Sequence, residues 1–139
     1  MITEDYVSFE TAKLLKEKGF DEECRAFYKE WDGEVTICQC TSSHLFEYCC
    51  NSMLEKFNDS EETNIAAPTL QMTMKWLMER GWFICIIPLA FYCGEKAVKF
   101  GYNFWAGDNL EVYESSTPKF NTYEETCEDA IKYCLENLV

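Results

Sequence analysis

The chain has 139 residues, 47% of them hydrophobic and 16% aromatic, which excludes a disordered segment and leaves ample apolar surface for a core. Twelve basic residues stand against 25 acidic ones, a formal net charge of −13. Such a surface repels phosphate, so direct binding to nucleic acid and docking on an anionic membrane are both disfavoured. The start, Met1-Ile2-Thr3-Glu4-Asp5, has neither a basic nor an apolar region of the kind a secretory leader needs. The apolar run from Trp82 to Cys93 is broken by Pro88 and is too short to span a bilayer as a helix. A cytoplasmic protein of one domain, residues 1–139, is the expectation.

The first helix is announced by Ser8 as N-cap, with Val7, Thr11, Leu14 and Leu15 at helical spacing. Lys16 and Lys18 suit its last turn, and Gly19 suits the left-handed position that lets Phe20 fold back towards Leu15. A hairpin follows, with strands Cys24 to Trp31 and Glu34 to Cys40 around the turn Asp32-Gly33. Phe46 to Cys50 reads as extended, and Ser52-Met53-Leu54-Glu55 as a capping box that starts a short helix at Met53. Asn58 to Asn64 is polar and acidic, and reads as a loop.

The second long helix lies between Pro68, placed at its first position, and Gly81 beyond its end. Leu70, Thr73, Met74 and Leu77 form one face, while Met72 and Trp76 make the other side apolar. A meander comes next. Trp82 to Tyr92 reads as a buried strand whose Pro88 implies a sheet edge or bulge. Val98, Phe100, Tyr102 and Phe104 alternate with polar or small residues in a second strand, and a third lies near Leu110 to Glu114. Turns fall at Cys93-Gly94-Glu95-Lys96 and Gly107-Asp108, and a loop runs from Ser115 to Asn121. The last helix starts at Thr122 with the capping box Thr122-Tyr123-Glu124-Glu125. Its apolar stripe is Tyr123, Cys127, Ala130, Ile131, Cys134, Leu135 and Leu138. The pattern predicts an α+β fold with helices packed on one face of an antiparallel sheet built from the hairpin and the three-stranded meander.

Three stretches together resemble a family of small uncharacterised proteins of gut anaerobic bacteria, often carried in phage-derived or mobile regions. They are Ser8 to Phe20 (SFETAKLLKEKGF), Ala67 to Met72 (APTLQM) leading into Lys75-Trp76-Leu77, and Thr122 to Glu125 (TYEE) with Ala130 to Leu138 (AIKYCLENL). The resemblance covers the helices, about a third of the chain. The family has no known activity, so the resemblance implies a context, a bacterial cytoplasm and an accessory role, and no catalytic residue. After the second helix the chain departs from the family pattern: Gly81-Trp82 stands in place of a more polar turn, and the strands are rich in cysteine and aromatics.

Nine cysteines accompany a single histidine, and no two cysteines form a C-x-x-C pair. Cys38, Cys40, His44, Cys49 and Cys50 are the one group whose chemistry suits Zn²⁺, at spacings that structural zinc sites do not use. Small apolar packing accounts for Cys85, Cys127 and Cys134. No nucleophile motif, glycine-rich phosphate loop or singled-out carboxylate pair is present, so neither a catalytic residue nor a cofactor is assigned. Trp76, Trp105 and Met72 are the candidates for an interaction surface. The leading expectation is a non-enzymatic module that binds a protein partner or a second copy of itself. One alternative is a nucleic-acid mimic, suggested by eight acids against two bases from Ala106 onward. Another is a small-ligand binder or enzyme with a site near His44.

Overall fold

The computed structural model describes residues 5–40, 47–92, 96–106, 111–115 and 119–139. The chain is an α+β protein, with four α-helices and two antiparallel three-stranded sheets among those residues. Its contacts fall into two compact units, Met1–Thr69 with Val139, and Leu70–Leu138.

The first unit opens with α1 (Phe9–Glu17). The Ser8 hydroxyl accepts from the Thr11 amide at 3.2 Å and caps its start. Its end is a Schellman motif. Gly19 takes φ +90°, the Gly19 amide donates to the Lys16 carbonyl, and the Phe20 amide reaches back to the Leu15 carbonyl at 2.9 Å. Leu15 and Phe20 are both buried, so the cap also turns the chain into the core.

Strands β1 (Ala26–Trp31) and β2 (Glu34–Gln39) form the expected hairpin. Asp32 (φ 52°) and Gly33 (φ 78°) both lie in the left-handed region, the signature of a two-residue type I′ turn. The hairpin and the meander do not share a sheet, which corrects the single-sheet expectation. The other side of β1 is taken by β3 (Glu62–Ala66), giving the order β2-β1-β3. The Asn58–Asn64 stretch therefore holds the start of a strand rather than only a loop. Tyr28 and Ile65 pair across β1 and β3 on one face, towards α1. There the Tyr28 hydroxyl donates to the Val7 carbonyl at 2.5 Å, and its ring meets Phe9 edge-on.

Between hairpin and β3 lies α2 (Asn51–Leu54), followed by a single 3-10 turn at Glu55–Phe57. Cys49 is extended and bridged to Cys24, as the Phe46–Cys50 reading expects, though Phe46 lies outside the described residues. The helix begins two residues before the expected Met53. The Ser52 capping box does not operate, because the Ser52 amide is already taken by the Asp21 carboxylate at 2.7 Å. That bond holds the Asp21 carboxyl below its usual range.

The second unit runs α3 (Leu70–Glu79), β4 (Trp82–Tyr92), β5 (Lys96–Ala106), β6 (Glu111–Ser115) and α4 (Tyr123–Asn137), with strand order β4-β5-β6. Pro68 stands two residues ahead of α3 instead of at its first position, and its carbonyl accepts from the Val7 amide. Gly81, at φ 91°, ends the helix as expected. Pro88 lies on β4, an outer strand of the sheet, where its missing N–H costs least. The turns expected at Cys93-Gly94-Glu95 and Gly107-Asp108 lie outside the described residues.

Helix α4 covers the face of β5 that carries Tyr102 and Phe104. The Tyr102 hydroxyl donates to the Asp129 carboxylate at 2.8 Å, and Phe104 stacks on Tyr133. The Thr122 hydroxyl caps α4 by accepting from the Glu125 amide at 3.1 Å. Cys127, Ala130, Ile131, Cys134 and Leu135 are buried, as the stripe predicts, whereas Tyr123 is exposed. Cys85 corrects its expected place in the interior: it pairs with Asn103 on the opposite face of the sheet and is exposed.

Candidate functional site

The thiols around Cys49 are the candidate metal group of the sequence. Cys24 and Cys49 are paired backbone to backbone, their amide–carbonyl bonds at 2.7 and 2.9 Å. The Cys40 amide donates to Arg25 next to them. The Cys49 thiol donates to the Ala26 carbonyl at 3.3 Å, and the Cys24 thiol to the Glu22 carbonyl at 3.5 Å. Burial pushes the Cys24 thiol up to about 12 and raises Cys49 and Cys40 too. A metal needs thiolates, and this setting favours the protonated form. Among the described residues no three or more His, Cys, Asp or Glu side chains gather in a metal-holding arrangement. Cys38, Cys40, Cys49 and Cys50 are free thiols, and His44 lies outside the described residues.

The aromatic candidates divide. Trp76 is only 2% exposed, with the Arg80 guanidinium 3.5 Å from its ring centroid. It is therefore a core residue under a cationic lid and not a surface anchor. The helix pattern misplaced it because α3 buries Leu70, Thr73, Trp76 and Leu77 as one face. Met72 is half-buried. Trp105 is half-buried on the sheet face opposite α4, and its indole N–H donates to the Asn103 amide oxygen at 3.0 Å.

The most exposed tryptophan is one the sequence reading did not single out. Trp31 is 60% exposed at the end of β1, where the I′ turn begins. It lines a groove of about 540 Å³ with Glu30, Asp32, Gly33, Ser60, Glu61 and Thr63. Three carboxylates therefore border one concave surface. Among the described residues, none of Glu30, Asp32 and Glu61 has an ion-pair partner, whereas neighbouring Glu62 is held by Lys29 at 2.7 Å. The groove's second wall is shaped by Asp59. Its carboxylate accepts from the Glu61 and Glu62 amides, both at 2.8 Å, which holds it below the usual carboxylate range. That fold fixes Ser60 and Glu61 opposite the hairpin tip.

The signal for this site was present in the sequence as Glu30-Trp31-Asp32 at a hairpin turn and Glu61 in an acidic stretch. Their meeting was not legible, because it depends on β3 pairing with β1. No family model, curated protein or solved structure matches the chain. No helix among the described residues is long and apolar enough to cross a membrane.

Proposed function

We propose that the chain is a non-enzymatic interaction module that receives a basic segment of a partner protein at the tip of the β1–β2 hairpin. The observation that carries this reading is the exposed Trp31 bordering one groove with three carboxylates that have no ion-pair partner among the described residues. A lysine or arginine placed there meets negative charge and an aromatic face together, and cation–π contact with tryptophan is the strongest of its kind. Tryptophan is also among the residue types enriched at interface anchors. The twofold excess of acids over bases favours approach of a positively charged partner from a distance. A reducing cytoplasm belongs to the same reading, supported by eight free cysteines among the described residues, and an accessory bacterial role rests on the resemblance of the helices alone.

Titration with an octalysine peptide at low salt, followed by calorimetry, tests the proposal. Trp31→Ala, and separately the triple change Glu30→Gln, Asp32→Asn, Glu61→Gln, are expected to weaken binding by roughly tenfold or more. Glu124→Gln, Glu125→Gln and Glu136→Gln together, at exposed positions of α4, remove the same three charges away from the groove and are expected to do little. Equal losses from the groove and control variants would leave only unspecific attraction and refute the groove.

A further inference from the structure

Sheet edges invite pairing with another chain, and proteins usually blunt them with proline, lysine, bulges or covering side chains. Three of the four outer strands here carry such a device. On β3, the Asn58 side chain accepts from the Asn64 amide at 2.6 Å and donates to its carbonyl at 3.3 Å, and Asn51 accepts from the Ala66 amide at 2.9 Å. On β4 the device is Pro88, and the β5–β6 pairing is broken by a bulge at Phe104/Trp105. Strand β2 has none. Its sequence Glu34-Val35-Thr36-Ile37-Cys38-Gln39 lacks proline and lysine, and its register with β1 runs unbroken over six pairs. Among the described residues no strand pairs with its outer side, and Val35 and Ile37 are 43% and 40% exposed on the same face.

We infer that β2 pairs antiparallel with β2 of a second copy, making one six-stranded sheet across a twofold axis. The register follows from geometry. Residues of one parity point their amides outward, so an antiparallel pair joins residues of like parity. Centring on Thr36 sets Val35 opposite Ile37 of the second copy, and Ile37 opposite its Val35. Centring on Ile37 instead sets Val35 against Gln39, which wastes half of the apolar stripe. The first register also sets Glu34 against Cys38, so no like charges face each other.

The net charge of −13 does not prevent this. With Thr36 on the axis, the two Asp32 turns lie eight residue rises apart, about 27 Å. That is about three times the distance over which physiological salt screens exposed charges. The groove at Trp31 stays at the outer ends of the combined sheet, so the pairing does not rest on the basic-partner reading.

Sedimentation equilibrium of the full chain in a reducing buffer, which removes disulfide dimers, is the test. The expected mass is twice the 16.3 kDa of the chain, falling to the single value on dilution. Val35→Lys with Ile37→Lys, at exposed positions, is expected to raise the dissociation constant by roughly a hundredfold or more. Trp31→Ala is expected to leave it unchanged while losing octalysine binding, which separates failure of this proposal from failure of the groove. A wild-type chain that stays monomeric at hundreds of micromolar would overturn the inference. So would a folded double-lysine variant that dimerises as well as wild type. Should that variant not fold, wild-type hydrogen exchange decides: β2 amide protection must rise with protein concentration, and concentration-independent exchange overturns the pairing.

Discussion

At the scale of single residues, Asn51 does work that no local pattern announces. Asn51 is buried; it donates to the Phe20 carbonyl at 2.7 Å and accepts from the Ala66 amide. It thereby ties the end of the α1 cap to the outer edge of β3. Replacing it with alanine takes a hydrogen bond from each of two interior backbone groups. Asn51→Ala is expected to cost about 3 kcal/mol, read from the urea midpoint at unchanged slope. A loss below about 1 kcal/mol would mean that water reaches both groups. These contacts were not legible because the partners lie 31 and 15 residues away along the chain. An asparagine in a polar stretch reads as a turn former, and only the folded edge shows that its amide stands in for a neighbouring strand. The misplacement of Trp76 has a similar origin. Its helix position was read correctly, but the packed side of α3 was not given by the sequence alone.

At the scale of elements, what was legible is what local chemistry dictates. Ser8, Gly19, Asp32-Gly33, Gly81 and Thr122 each act where their own geometry requires, because caps and turns are settled within a few residues. Strand β3 was missed for the opposite reason: Glu62-Thr63-Asn64-Ile65-Ala66 has little strand preference of its own and is extended by pairing with β1. Gly19 offers a clean test of the local part. A methyl group there would meet nothing within 4 Å, so any cost comes from its φ of +90° alone. Gly19→Ala is expected to destabilise by about 1 kcal/mol, and Gly19→Asn by less, since asparagine tolerates the left-handed region. Thermal unfolding of the two variants checks the order. An alanine variant as stable as wild type would show that the cap relaxes without it.

At the scale of the whole molecule, the α+β class was legible from helices alternating with hairpins, while the division into two sheets was not. Which strand takes the free side of β1 is a long-range choice between β3 and the meander, and nothing in the periodicity ranks them. The buried thiols, by contrast, make a global prediction from chemistry that the helix stripe already suggested. Burial pushes Cys127 up to about 11 and Cys24 and Cys134 up to about 12, and it raises Cys49 as well. In the unfolded chain the same groups lose their protons near 9.0. Above that value the folded state holds more protons than the unfolded one, so stability falls as pH rises. The contribution is fully present below about pH 9 and is lost as pH climbs through 11 to 12. Each fully offset thiol adds a slope of about 1.4 kcal/mol per pH unit. Urea unfolding at pH 8, 9 and 10 with reductant present is expected to show a midpoint that is flat at first and then drops. Cys127→Ala with Cys134→Ala should start weaker at pH 8, because two buried sulfurs are lost, and then fall less steeply. A variant that falls as steeply as wild type would assign the alkaline loss to other groups. The thiols would then be packing residues with no part in the pH response.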